Sequence, residues 1–223
     1  MASKKTNSER KRSRPIEKKK SRMNMKVLGG VAIVVIIVCV AVALVLLGGN
    51  SPNENGAEPG ENPIAVIDTS KGIIRVELFQ DKLPITCGNF IKLVNDGFYD
   101  GMIFHRVMDD FMIQAGSTYP DGSTVESPYG NIEFESSDEV SHEDGTISMA
   151  STGAGVGGSA QFFICDGNQS GLDGSYAAFG IVVEGIDVVR DIADEPHDSS
   201  YGSVGGGRPN EDVIIYSITI EEQ

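Results

Sequence analysis

The chain has 223 residues, with 18 Lys and Arg against 32 Asp and Glu, which gives a formal net charge of −14. Eleven of the basic residues lie at or before Lys26, whereas the part after Asn50 has 7 basic and 30 acidic residues. An acidic domain of this composition argues against nucleic-acid binding, because the phosphate backbone is bound through Lys and Arg. The three cysteines, at positions 39, 87 and 165, are too few for a disulfide framework, and we interpret them as small buried apolar residues.

An uncharged apolar segment of 21 residues runs from Val27 to Leu47. As a helix it would be about 31 Å long at ~1.5 Å per residue, enough to cross the hydrocarbon core of a bilayer. The basic tail, 1–26, precedes it, so the positive-inside rule predicts a cytoplasmic N-terminus and an extracytoplasmic domain. The alternative is a cleaved signal peptide, but Ala41 and Ala43, which mimic a cleavage site, lie inside the apolar run. We therefore predict an uncleaved, single-pass cell-membrane protein with a transmembrane helix at 27–47.

The rest of the chain divides into a linker and one domain. Residues 48–62 are rich in Gly, Asn, Pro and Glu, which is typical of a flexible linker. Residues 63–223 have a normal size for one domain with a core. Their patterns predict helices at 84–96 and 186–193, and strands at 64–69, 72–79, 102–107, 111–115, 146–150, 161–165 and 213–220. Many short strands and few helices favour a barrel or a sandwich.

One fixed positive charge, Arg106, lies among large apolar side chains. On a strand it would share a face with Phe104 and Met108, and His105 would lie on the opposite face. A guanidinium is costly to bury without partners, so the pattern is consistent with a half-apolar pocket that contains one strong donor. It is equally consistent with a strand whose Arg extends to water. The local pattern leaves both interpretations open.

Three blocks of sequence, in order, resemble the cyclophilin family of peptidyl-prolyl isomerases. The first is the run Phe-His-Arg-Val-Met-Asp-Asp-Phe-Met-Ile-Gln-Ala-Gly at 104–116. The second joins Gly-Thr-Ile-Ser-Met-Ala at 145–150 to Ser-Ala-Gln-Phe-Phe-Ile-Cys at 159–165. The third joins Leu-Asp-Gly at 172–174 to Ala-Phe-Gly at 178–180. Three ordered blocks are far more specific than one short motif.

The resemblance covers 63–223 and implies a fold class as well as an activity. The fold would be mainly β, a closed antiparallel cyclophilin-like β-barrel capped by two helices, preceded in this chain by the transmembrane helix. The activity would be acceleration of cis–trans isomerisation at X–Pro bonds. No bond is made or broken in that reaction, so neither a metal nor another cofactor is expected.

The resemblance also implies which residues form the site. Arg106 would aim a donor at the prolyl nitrogen of the twisted amide, and Gln114 would contact the substrate carbonyl and orient the Arg. Phe111 is the third residue that the resemblance assigns to catalysis. Phe163 and Leu172 could alternatively be ordinary core residues. The implied groove residues are Met112, Ala150, Ser151, Gln161, Phe163, Leu172, Tyr176 and Gly122.

Several positions depart from the family pattern or imitate other motifs. Gly171 stands where cyclosporin-sensitive members have Trp, so we expect weak or no cyclosporin binding. Ser151 replaces the usual Asn, and the loop 151–160 is one residue longer, which puts the peptide preference in question. The glycines at 153–158 match G-x-G-x-x-G, but a predicted strand rather than a helix follows them, which argues against a dinucleotide site.

Taken together, the sequence predicts a membrane-anchored prolyl isomerase that assists the folding of extracytoplasmic proteins. Its partners would be proline-containing unfolded or extended polypeptides. The alternative is a chaperone module that binds proline-containing segments with little catalysis. The three histidines, at 105, 142 and 197, have no metal-ligand spacing.

Overall fold

The computed structural model describes residues 62–221. The predictions of a basic tail, a transmembrane helix and a linker therefore lie outside the described residues, apart from Asn62. Within 62–221, no helix is long and apolar enough to cross a membrane.

Residues 62–221 form a mainly β domain with eight strands and two helices. In chain order they are β1 Ile64–Thr69, β2 Gly72–Leu78, α1 Pro84–Asn95, β3 Arg106–Met108, β4 Met112–Ala115, β5 Thr146–Met149, β6 Phe162–Cys165, β7 Ala177–Glu184, α2 Ile186–Ala193 and β8 Ile215–Glu221. The strand predicted at 102–107 overlaps β3 by two residues only. Strand β7 was missed, because Gly180 lies inside it and weakens the strand pattern.

All the strands belong to one antiparallel sheet with the order β3-β4-β6-β5-β7-β2-β1-β8. The two end strands, β3 and β8, form no ladder with each other. The gap between them is spanned by an isolated bridge between Ile103 and Ile214 and by three backbone bonds. These bonds run from Phe104 N to Val213 O at 3.0 Å, from Gly101 N to Ile215 O at 2.8 Å and from Ile215 N to Met102 O at 2.8 Å. The prediction of a closed barrel is therefore wrong, and the sheet is curled but open. Strand β3 begins only at Arg106, so the residues that meet β8 precede it and form no regular ladder.

The core lies inside the curl and is rich in aromatic rings. Phe90 of α1 packs against Tyr99, Phe162 and Phe179, with ring centroids 5.2 to 5.6 Å apart. All four rings are buried, and each contributes about 1.5–3 kcal/mol through removal of apolar surface from water. The hydroxyl of Tyr99 donates to Ala160 O at 3.0 Å, so the one polar atom among these rings is satisfied.

Helix α1 is held at its start by a distant carboxylate. Pro84 stands in the first turn, where its missing N–H costs nothing. The carboxylate of Glu135 accepts from the backbone N–H of Ile85 at 3.1 Å and of Thr86 at 2.6 Å. These are two of the free donors at the helix N-terminus, and the negative charge is favourable there. The contact also fixes the long connection between β4 and β5 against α1.

Two of the cysteines are buried thiols without a disulfide, Cys87 and Cys165. Burial raises the pKa of both thiols, that of Cys165 to about 12, so they stay protonated. This confirms the interpretation of both as small apolar residues. Cys39 lies outside the described residues.

Candidate active site

Strands β3, β4 and β6 bring three predicted site residues into one row. Arg106 is paired with Gln114, and Gln114 is paired with Phe163. Residues that face each other across antiparallel strands lie on the same side of the sheet, so a charge, an amide and an aromatic ring share this side. Phe104 does not join them, because it precedes β3 and packs in the core against Phe162. The prediction that Phe104 shares a face with Arg106 is therefore wrong.

The row borders a cavity of about 220 Å³, called here the apolar cavity. Most of its wall comes from a cluster of apolar residues that is separate from the main core. It is lined by Arg106, Phe111, Met112, Gln114, Ala150, Ser151, Phe163, Leu172, Tyr176 and Tyr201. Nine of these ten residues are among the predicted site residues, and Tyr201 is the addition.

A second cavity of about 160 Å³ adjoins the first and is called here the polar cavity. Gln114, Ala150 and Ser151 line both. Its full lining is Gln114, Asn131, Ala150, Ser151, Thr152, Gly157, Gly158, Ser159 and Gln161. The predicted groove residue Gln161 thus lies in the polar cavity, together with amide and hydroxyl groups that can bind a polar chain.

Two of the glycines in the run 153–158, Gly157 and Gly158, allow close packing of the loop. A Cβ at Gly157 would lie 1.7 Å from Ile132 O, and one at Gly158 would lie 2.4 Å from the Cγ of Met149. Strand β6 follows them, as expected. These positions require Gly because the loop backbone passes directly over its neighbours.

The guanidinium of Arg106 is satisfied on one edge. Its Nε donates to Gly205 O at 3.2 Å, and its Nη2 donates to Val204 O and to Gly205 O, both at 3.0 Å. Its Cζ lies 5.0 Å from the centroid of the Tyr201 ring, within the range of a cation–π contact. Arg106 is half-buried. Of the two interpretations left open by the sequence, the structure supports the half-apolar pocket.

Gln114 has a different partner from the one predicted. Its Nε2 donates to Gln161 Oε1 at 2.9 Å. The side-chain bonds of Arg106 go to Val204 and Gly205 instead, so Gln114 does not orient Arg106 directly in this structure. The two glutamines are fixed to each other at the boundary between the cavities.

Phe163 is held in place from behind by a histidine. Its ring is stacked on His142 with centroids 6.0 Å apart and meets Tyr176 edge-on at 5.8 Å. The His142 Nδ1 lies 2.8 Å from Asp173 Oδ1, and its Nε2 lies 3.0 Å from Ser148 Oγ. These three residues resemble a hydrolytic triad, but His142 is 1% exposed and Ser148 is fully buried. They support the cavity wall and do not reach a ligand.

His105, next to Arg106, is a buried side chain that is kept neutral. Burial, and secondly the charge of Arg106, lower its pKa to about 4. Its Nδ1 has no hydrogen-bond partner among the described residues. Because it lines neither cavity, the structure agrees with the prediction that its role is structural.

Gly122 is the predicted groove residue that lies apart from the others. It occupies an exposed turn in which its N–H donates to Tyr119 O at 2.9 Å. Its φ of +82° explains why Gly is suited to that position. It lines neither the apolar nor the polar cavity.

The family model for "Cyclophilin type peptidyl-prolyl cis-trans isomerase/CLD" matches residues 64–220. The chain belongs to the cyclophilin family. It is 45% identical to the peptidyl-prolyl cis-trans isomerase of Synechococcus elongatus over 130 residues, which are 57% of this chain and 87% of that protein. It is 37% identical to the human peptidyl-prolyl cis-trans isomerase-like 3 over 157 residues, 69% of this chain and 93% of that one.

A solved cyclophilin has the same fold. The crystal structure of a Cryptosporidium parvum cyclophilin type peptidyl-prolyl cis-trans isomerase, determined in the presence of the dipeptide Ala-Pro, superposes with a TM-score of 0.63 and 31% identity. The match covers 72% of this chain and 99% of that structure. The protein is accordingly a cyclophilin-type prolyl isomerase with a curled antiparallel sheet and two helices.

Tyr201 is the one residue of the apolar cavity that the sequence did not predict, and in the polar cavity Asn131, Thr152 and Ser159 were not predicted either. Tyr201 is separated from the cyclophilin motifs and precedes the short 3-10 turn Gly202–Val204. Its contact with Arg106 spans 95 positions, and no local periodicity reports such a contact. The only available signal was an aromatic residue beside a run of glycines in an otherwise polar segment.

Proposed function

We propose that this cyclophilin works outside the membrane, tethered by its N-terminal segment, and accelerates X–Pro isomerisation in extracytoplasmic proteins as they fold. Support for the location comes from the uncharged run 27–47 behind the basic tail 1–26, which is the pattern of an N-in, single-pass anchor. The linker 48–62 would separate the domain from the bilayer. An acidic domain would keep such a protein soluble at the membrane surface.

The chemistry to be accelerated is rotation about one amide bond. Resonance gives that rotation a barrier of ~18–20 kcal/mol, and the unassisted reaction at X–Pro takes tens to hundreds of seconds. In the twisted state the prolyl nitrogen loses resonance and gains a lone pair. A site accelerates the rotation when it stabilises this state more than the planar one.

Arg106 is the donor proposed to stabilise the twisted amide. The contacts of its Nε and Nη2 support this role, because they leave Nη1 without a bond to any described residue. A guanidinium keeps its charge at every physiological pH, and a hydrogen bond from a charged donor is about twice as strong as a neutral one. Arg106 borders the apolar cavity, so a donor and an apolar wall are adjacent.

The apolar cavity is proposed to hold the proline ring. Its support is the wall of the cavity, where Phe163 is backed by His142 and flanked by Met112 and Leu172. Phe111 and Tyr176 complete the apolar part of the lining. The proline ring has no hydrogen-bond donor, so its burial against this apolar wall leaves no donor of the ring unpaired.

The polar cavity and the boundary residues are proposed to hold the peptide backbone near the proline. Ala150 N donates to Gln161 O at 2.9 Å, so the carbonyl of Ala150, rather than its amide, is the group free to bind a peptide N–H. Ser151 donates its hydroxyl to Gly153 O at 2.7 Å and can then only accept from a ligand. Gln114 would contact the substrate carbonyl, and Gly122 would act from outside the two cavities.

The proposed ligands are proline-containing extended or unfolded polypeptides. The Ala-Pro dipeptide used with the Cryptosporidium parvum cyclophilin supports proline as the recognised residue. Cyclosporin is proposed to bind weakly or not at all, because Gly171 supplies no side chain beside Leu172.

The proposed role of Arg106 is tested by refolding a substrate whose slow phase is proline-limited, with the full-length chain and its Arg106→Ala variant. We expect the variant to lose 10²–10³-fold in kcat/KM, the usual loss for one donor aimed at a transition state. The matched control is Arg75→Ala, which removes an Arg of β2 that pairs with Glu184 and Glu221 outside both cavities and should leave the rate unchanged. Equal rates for wild type and Arg106→Ala would favour the chaperone alternative.

The proposed location is tested on the protein extracted from membranes. Its mass should be that of the full-length chain, and protease added outside intact cells should remove the domain but spare residues 1–26. A mature chain that begins near residue 44 would identify a cleaved signal peptide and contradict the anchor.

A further inference from the structure

The segment 199–207, called here the Tyr201 loop, lies against β3 next to the apolar cavity. Its C-terminal end is fixed by two backbone bonds, from Val107 N to Gly207 O at 2.9 Å and from Gly207 N to Val107 O at 3.1 Å. The approach is close: a Cβ at Gly206 would lie 2.5 Å from Val107 O. The loop backbone is therefore held at a fixed distance from the strand that carries Arg106.

The Tyr201 loop contacts the guanidinium of Arg106 on one edge and over one face. The edge formed by Nε and Nη2 donates three hydrogen bonds to the carbonyls of Val204 and Gly205. The Tyr201 ring lies under the guanidinium carbon at 5.0 Å. A planar fork with one edge and one face occupied has little rotational freedom left, and its remaining nitrogen, Nη1, is directed by the same contacts.

The three hydrogen bonds of this guanidinium all go to backbone carbonyls, and no described side chain makes a hydrogen bond to it. Gln114, its cross-strand neighbour, donates to Gln161 instead. The described carboxylates likewise make no ion pair with Arg106. The orientation of Arg106 therefore depends on the Tyr201 loop.

We infer that Tyr201 is a positioning residue for Arg106: its ring, together with the carbonyls of Val204 and Gly205, holds the guanidinium so that Nη1 meets the prolyl nitrogen of the twisted amide. This inference rests on the proposed role of Arg106. The gain arises in the twisted state, because only there does the nitrogen have a lone pair to accept the bond. Loss of the ring should therefore lower kcat more than it raises KM.

The test compares Tyr201→Leu, which keeps apolar volume but has no ring face, with Tyr201→Phe, which keeps the face and loses only the hydroxyl. The assay is isomerisation of a short Ala-Pro peptide by the full-length chain. We expect Tyr201→Leu to lose about fivefold in kcat/KM, the size of one exposed cation–π contact, and Tyr201→Phe to stay within about twofold of wild type. The matched control is Tyr129→Leu, which removes the ring under Lys92 at a site that lines neither cavity.

A double-mutant comparison separates positioning from direct contact with the peptide. In an Arg106→Ala background, Tyr201→Leu should cause no further loss, because its effect passes through the missing guanidinium. The same fivefold loss in both backgrounds would overturn the inference and make Tyr201 a binding residue. If Arg106→Ala is as active as wild type, the proposed catalytic role of Arg106 fails. If Arg106→Ala loses activity but Tyr201→Leu does not, the role of Arg106 stands and only the inference about Tyr201 fails.

A second variant and an NMR exchange measurement keep the inference testable if Tyr201→Leu disturbs the folding of the loop. Gly206→Ala should displace the loop from Val107 O and reproduce the loss in kcat with Tyr201 still present. The Arg106 Nε–H resonance should be protected from exchange in wild type and Tyr201→Phe, and exposed in Tyr201→Leu. Retained protection in Tyr201→Leu would overturn the inference, whatever the activity.

Discussion

The two faces of strands β4 and β6 place neighbouring residues in opposite surroundings. Phe162 and Ile113 lie fully buried in the main core, whereas Phe163 and Gln114 line the apolar cavity. On the core face, Phe162 packs against Phe90 of α1 and against Tyr99 and Phe104, which lie outside the strands. The cavity face is completed by Ala150, Leu172 and Tyr201, which also lie outside the strands. The two faces therefore differ in what they border: one is filled by packed apolar side chains, and the other borders an open cavity.

The sharpest way to test this contrast is to truncate two adjacent rings. Phe162→Ala removes a fully buried ring that packs against Phe90 and Tyr99, and it should lower the free energy of unfolding by about 3–5 kcal/mol. Phe163→Ala should lower it less, because the space left behind opens to the cavity and admits water. Its main effect should be on kcat/KM. Urea unfolding and the isomerisation assay, run on both variants, measure the two effects.

The control for this pair is Phe79→Ala, which removes a half-buried ring away from both cavities and should leave isomerisation unchanged. An equal loss of stability for Phe162→Ala and Phe163→Ala, with equal activity, would contradict the division into a core face and a cavity face.

A second comparison concerns two adjacent residues of the site motif: Arg106 borders the apolar cavity, whereas His105 is buried and lines neither cavity. His105 is buried with its pKa lowered to about 4, so below pH 6.5 the unfolded chain binds a proton that the folded chain resists. Stability should therefore fall as the pH drops from about 6.5 to 4, by up to about 3 kcal/mol from this residue. The free energy of unfolding, measured by urea across that range, should decline less steeply in His105→Asn than in wild type.

The carboxylates titrate in the same range, so the difference between the two proteins, rather than either slope alone, reports on His105. Identical slopes would show that His105 is not kept neutral by its burial.

The smallest expected effect concerns Gly171, the residue before the cavity-lining Leu172. A Cβ there would have nothing within 4 Å, so a large side chain fits without displacing its neighbours. Gly171→Trp restores the residue of cyclosporin-sensitive cyclophilins and should tighten cyclosporin binding by tenfold or more, with little change in isomerase activity. A direct titration of wild type and variant measures it. Tight binding by the wild type would refute the expectation of weak affinity.

Much of the fold and of the site follows from local patterns and from the family motifs. The family motif assigns Phe163 to the groove, and Pro84 with Gly97 bounds α1. Local patterns could not predict the cap that Glu135 provides for α1, nor strand β7. In β7 a Cβ at Gly180 would lie 2.4 Å from Glu77 O, which explains the Gly inside the strand. The cap and the strand both depend on residues that are distant in the chain and adjacent only after folding.

By itself, the sequence predicted the mainly β domain and its membership in the cyclophilin family, and ten of its eleven predicted site residues line the two cavities. It could do so because strand patterns and short family motifs can be read from neighbouring residues of the chain. Only the tertiary structure decided that the sheet stays open between β3 and β8, and that Arg106 is held by Tyr201 and the carbonyls of Val204 and Gly205. Both features depend on segments that are distant in the chain, and the packing of the whole domain sets their geometry.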